Sequence, residues 1–230
     1  SLVLAMAACS SGGPAGTSTT SASSTTTTTR SARGVEQFTG PIEDFYRVPD
    51  PLPAGKPGEL IRAMPLDDET QQAEPGTTSL RVMYHSRDAN DHDRAVTGVI
   101  TYPTGAAPEG GWPVVTSAHG TTGIAPQCAP SRWLDTAPAH GVRGVRGATD
   151  YIGLGPVGEL HPYLSGLDEG HSVLDIVRAA RLLPAAHASD DYAIWGHSQG
   201  GHAALWAHQL SESYAPELHL AGTVAAAPAA

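Results

Sequence analysis

The residues best equipped for chemistry are Gly196-His197-Ser198-Gln199-Gly200. An apolar stretch, Tyr192-Ala193-Ile194-Trp195, reads as a strand leading into them, and a helical pattern follows from about Gly200 to Leu210. A Gly-x-Ser-x-Gly pentapeptide between strand and helix is a nucleophile elbow. Its turn strains the serine backbone and lifts the hydroxyl clear of the sheet. Glycine is required at 196 and 200 because a Cβ there would strike the neighbouring strand or helix. Gly201, Ala203 and Ala204 continue the small face, so the helix can approach closely and aim its positive N-terminal end at the reacting centre. Gly and Ser are common enough that the pentapeptide alone says little; its setting makes it specific.

A serine activated in this way performs acyl transfer, and the oxyanion that forms needs two hydrogen-bond donors. One is the backbone N–H of Gln199, the residue after the nucleophile. The second is expected from the loop after the third strand. Pro113 to Ala118 reads as a buried strand running into His119-Gly120-Thr121-Thr122-Gly123, so the Thr121 N–H is the first choice and Gly120 the close second. Eleven histidines invite a metal reading. However, there is no His-Glu-x-x-His, and His197, His202 and His208 are spaced off a common helical face. No metal and no cofactor is expected.

These groups need a scaffold. Leu80 to Tyr84 and Val96 to Tyr102 alternate like strands. The acidic run Arg87 to Asp93 between them lacks the oxygen pattern of a calcium loop and reads as a hairpin turn. Residues 34–78, rich in Pro and Gly, read as an irregular wrap. A helix carries Trp133 and Leu134. A second spans 169–183, with Val173, Ile176, Val177, Ala180 and Leu183 in one stripe and Asp175, Arg178 and Arg181 off it. Leu218 to Ala226 reads as another strand. Strands alternating with helices imply an α/β fold, a mainly parallel sheet with helices on both faces. One stretch conflicts with it: a strand buried on both faces is due at Gly141 to Gly147, yet Arg143 and Arg146 stand there. Two explanations compete. A one-base frame slip would restore an aromatic-Val-Val run; otherwise the sequence is genuine and the strand is distorted or missing.

Net charge is −10, with 23 Asp and Glu against 13 Lys and Arg. No basic patch suits a phosphate backbone, so nucleic acid is excluded as a partner. With 40% hydrophobic and 16% charged residues, 230 residues suffice for one large domain. The apolar run Leu2 to Ala8 is too short to span a bilayer. It reads as the end of an export signal, residues 1–9. Met6-Ala7-Ala8-Cys9-Ser10 is similar to a bacterial lipobox, which makes Cys9 a lipidation site and anchors the protein to a membrane; an ordinary cleaved signal is the alternative. Residues 10–33, almost all Ser, Thr, Gly, Ala or Pro, read as a disordered linker. Residues 34–230 hold the N-terminal part of the catalytic domain.

The chain also resembles the secretory lipase family, of lipase A type, within the α/β-hydrolases. The likeness runs from about Phe45 to Ala230 and rests on ordered motifs: Pro51 to Gly58, Ala118 to Gly123, Cys128 to Ser131, Ala148 to Gly155, Glu169 to Asp175 and Gly196 to Gly201. It implies a serine carboxylic ester hydrolase acting on acylglycerols, a cap over the site, and a disulfide from Cys128 to a later cysteine. Chain order in this fold is Ser, then Asp or Glu, then His. His202, His208, Glu212, Glu217 and His219 follow Ser198, but none falls at a strand end facing it. The triad acid and base, the cap and the last strands are therefore expected beyond residue 230, leaving this chain a truncated part. The expected location is the cell envelope, as a lipoprotein, or the medium. A short-chain esterase and a non-catalytic envelope lipoprotein of the same fold are the alternatives.

Overall fold

A computed structural model describes residues 29–30, 35–66, 75–133 and 143–229. The leader with Cys9, most of the linker and the stretch beyond Trp133 lie outside the described residues. Among the described residues nine strands form one sheet: β1 (Thr29–Arg30), β2 (Glu36–Gln37), β3 (Leu60–Pro65), β4 (Thr77–Arg87), β5 (Asp93–Pro103), β6 (Trp112–Ala118), β7 (Val145–Thr149), β8 (Ala188–His197) and β9 (His219–Ala226). Their order is β1-β2-β3-β4-β5-β7-β6-β8-β9. The half from β7 to β9 is parallel, and β3, β4, β5 and β7 pair antiparallel in turn. The helices are α1 (Ile42–Phe45), α2 (Pro130–Trp133), α3 (Gly166–Arg181) and α4 (Gln199–Tyr214).

Alternation along β4 shows which helix covers which face. Tyr84 donates to the Ser172 carbonyl of α3 at 3.1 Å, whereas Arg81 reaches the Ser131 carbonyl of α2 at 2.9 and 3.0 Å. The helices therefore lie on both faces, as an α/β-hydrolase requires. The α4 helix packs beside α3 and under β8 and β9. Ile176, Val177, Ile194, Ala203 and Ala204 fill the layer between helices and sheet. A second cluster on the α1 side holds Phe38, Phe45, Tyr46 and Met83.

The structure corrects four expectations. The wrap at 34–78 contains α1 and two strands, β2 and β3. In β3 the buried Arg62 breaks the apolar alternation; its guanidinium is held by the carbonyls of Asp44, Phe45 and Arg47. Thr29 and Arg30, assigned to the linker, pair with β2. Asp175, placed off the α3 stripe, is fully buried, because α3 is covered by the sheet on one side and α4 on another. Finally, β7 forms despite its arginines. A Cβ at Gly147 would press on Ile176 at 3.2 Å, and one at Gly98 on β5 would do so at 2.8 Å. The bulk expected from the strand is supplied by α3 instead. Arg146 is half-buried and Arg143 exposed.

Candidate active site

Strands β6 and β8 are parallel neighbours with Ala118 opposite Gly196. That register carries His119 and Gly120 forward beside His197 and Ser198. The strap after β6 and the elbow after β8 thus meet: a Cβ on Gly120 would lie 3.8 Å from the Ser198 Cβ.

Ser198 has φ 59° and ψ −121°, a region that non-glycine residues rarely enter. It is held there from two sides. Its N–H donates to the Ala226 carbonyl at 3.0 Å, and its own carbonyl accepts from Ala229 at 3.1 Å. A Cβ on Gly196 would overlap the Gly200 carbonyl, and one on Gly200 the Ala118 carbonyl. Both glycines are thus required by close backbone approach. Ser198 is half-buried and caps α4, whose first residue, Gln199, is 1% exposed. Thr121 is exposed, and its Oγ1 lies 2.8 Å from the Tyr163 hydroxyl.

The later acids and bases hold other partners. His202 Nδ1 lies 3.3 Å from the Ala229 carbonyl, and His208 Nδ1 lies 3.0 Å from Thr223 Oγ1. Glu217 accepts from Arg178 at 2.6 Å, His219 is 3.5 Å from Asp191, and Glu212 is exposed. Cys128 is buried.

The sequence reading gave several groups beneath the site no role of their own. Asp150 is buried and accepts from Ser131 N–H at 2.8 Å, from Thr97 Oγ1 at 2.6 Å and from the Ser131 hydroxyl. Burial raises its pKa, and those hydrogen bonds oppose the rise. The half-buried His119 is shifted the other way, because burial disfavours its charged form. Tyr151, at φ 68°, donates from its hydroxyl to the His119 carbonyl at 2.9 Å. Its ring lies 4.3 Å from the His119 ring and stacks on His161 at 5.6 Å. Below the elbow sit Glu169, fully buried, and His161, 4% exposed. No local pattern marks them: an acid in the first turn of a helix ordinarily serves the helix dipole.

A strained serine on a strand-to-helix turn, inside the parallel half of a sheet covered on both faces, defines the α/β-hydrolase fold. Within that class the chain resembles the secretory lipases. The "Secretory lipase" family model matches residues 140–230. Lipase A of Moesziomyces aphidis is 26% identical over 201 residues, covering 79% of this chain and 42% of that protein. The secreted triacylglycerol lipase LIP4 of Malassezia furfur is 36% identical over 67 residues, 28% of this chain and 13% of that protein. Among solved structures, Candida antarctica lipase A in its closed state superposes with a TM-score of 0.62 at 23% identity, over 80% of this chain and 46% of that one. The chain therefore spans less than half the length of these relatives.

Proposed function

We propose that this chain is the nucleophile-bearing part of an exported serine ester hydrolase, a triacylglycerol lipase working through an acyl-enzyme on Ser198. The observation that carries the reading is the Ser198 backbone at φ 59°, fixed at a strand-to-helix junction that excludes any Cβ on either flank. The Ser198 Oγ attacks the ester carbonyl carbon as a base takes its proton. The carbonyl oxygen gains the charge and is met by the Gln199 N–H and by that of Thr121, or of Gly120. Collapse expels the alcohol, which takes the proton back, and water then releases the acid by the same steps. The base and its acid are read as lying outside these 230 residues, in line with the share of the relatives that the chain spans. Triacylglycerols are the substrate suggested by the name of the Malassezia furfur lipase it resembles. Exposed Tyr163, which meets Thr121, and exposed Ile124 on the same loop as Thr121 supply apolar surface for an acyl chain.

In the intact protein, Ser198→Ala should lower hydrolysis of p-nitrophenyl esters and of a long-chain triacylglycerol by at least ~10⁴-fold. Parent-rate hydrolysis by that variant would remove the assignment. Activity on acetate esters without activity on the triacylglycerol would mean a short-chain esterase. Export agrees with the secretory family and the secreted relative. Lipidation of Cys9 is part of the same proposal, since anchoring by lipid chains on one residue is strong once two or more are present. The Cys9→Ser protein should then move from the membrane fraction to the soluble one; unchanged fractionation contradicts it.

A further inference from the structure

Beneath the elbow is a polar knot that the reaction does not need for bond making. The Gln199 carboxamide is buried and its Nε2 lies 2.7 Å from Glu169 Oε1 and 2.7 Å from His161 Nε2. His161 Nδ1 is 2.8 Å from the Ile152 carbonyl. That nitrogen must carry the ring proton, because a carbonyl can only accept, and Nε2 is left as an acceptor. Both hydrogens of the Gln199 amide are thus used, one on the imidazole and one on the carboxylate. Glu169 Oε1 also accepts from the Leu164 N–H at 3.1 Å, and Leu164 sits at φ 60°. The same loop, 161–164, carries Tyr163, whose hydroxyl meets Thr121 Oγ1. One short loop therefore touches both sides of the oxyanion site: His161 holds Gln199, and Tyr163 holds Thr121. Glu169 ties the end of that loop to the elbow.

A fully buried carboxylate is costly unless something requires it. Here two more buried polar atoms, Glu169 Oε2 and Gln199 Oε1, have no hydrogen-bond partner among the described residues. Tight packing alone would be better served by an apolar residue at 169. What the carboxylate adds is direction: a charge-assisted bond that fixes the side chain of the residue whose backbone N–H faces the oxyanion. We propose that Glu169 is a positioning residue: acting through the Gln199 carboxamide and the loop 161–164, it sets the spacing of the two oxyanion donors. The proposal rests on the serine-hydrolase reading and adds to it a group that never touches substrate.

The test uses the intact protein and pairs of esters and thionoesters with the same acyl and alcohol parts. A thiocarbonyl accepts hydrogen bonds poorly, so a well-set oxyanion site prefers the oxygen compound, and that preference shrinks as the donors drift. Gln199→Met and Glu169→Leu each break the knot and leave every backbone N–H in place. Each should lower kcat by about ten- to a hundredfold with little change in KM, the cost typical of a small misplacement. The ester-to-thionoester ratio should fall several-fold in both, and the double variant should fall little further than either single one. Glu169→Gln, which keeps an acceptor for the amide, should recover most of the ratio. A merely structural role would lower the amount of folded enzyme and leave the ratio untouched. Parent-like ratios in the folded variants overturn the proposal, and if the apolar variants fail to fold, a ratio in Glu169→Gln below that of a folded Glu169→Ala does the same. Ser198→Ala run alongside separates the two levels: if it retains activity, the hydrolase reading fails; if it does not and the ratios stay put, only Glu169 is misassigned.

Discussion

Ser198 occupies an unfavourable backbone region because its neighbours leave no other. The Gly200 Cα lies so close to the end of β6 that an added methyl would overlap the Ala118 carbonyl and come within 2.8 Å of the His119 carbonyl. Gly200→Ala should therefore push strap and elbow apart. We expect esterase activity of the intact protein to fall by about a hundredfold, the scale of a roughly 1 Å misplacement. Stability should drop by only about 1–3 kcal/mol, as for an overpacked site. Parallel assays of rate and thermal unfolding decide this, and a variant that keeps the parent rate excludes the close approach. At this scale the sequence was informative only where chemistry is local. The pentapeptide at 196–200 announces its own geometry. Glu169 and His161 do not, being thirty and thirty-eight positions from the glutamine they hold and brought to it only by the packing of α3 against α4.

At the scale of elements, long apolar alternation was legible in β4, β5 and β6, and the β8–α4 unit stood out through its glycines. What stayed hidden were elements whose burial is paid for by partners elsewhere. The buried arginine of β3 satisfies its charge on carbonyls of another segment, and β7 lets Ile176 fill the space of missing side chains. Asp150 works similarly, joining β5 through Thr97 to α2 through Ser131. Its pKa is raised in the fold, mainly by burial. The folded protein thus holds the proton more tightly than the unfolded chain. The stability this gives is fully present below the unfolded value, about 4, and is lost as pH rises through the folded one. Asp150→Asn stays neutral throughout, and its amide can still serve Ser131 and Thr97 after the hydroxyls rotate. Relative to the parent, the variant should become progressively more stable as pH rises above about 4. Denaturant titrations at several pH values test this; a difference that does not move with pH, or moves the other way, removes the assignment.

At the scale of the whole molecule, the end of β9 bears most directly on Ser198. Among the described residues the outer edge of β9 carries no strand, and Val224 of β9 and Leu205 of α4 are 56% and 49% exposed. Such an edge is open to further pairing. Yet the segment running off this edge is the one that grips Ser198, because Ala226 and Ala229 bond to its two backbone groups. The Ser198 amide proton is therefore shielded from solvent only while the end of β9 stays docked. Its rate of exchange with deuterium would report the seating of that strand, read at Ser198 itself. In the intact protein this proton should exchange in step with the amide of Ala229, and more slowly than those of exposed turns. If it exchanged freely while Ala229 stayed protected, the grip would be absent. With the grip in place, a shift at the end of β9 is felt at the serine hydroxyl without touching it.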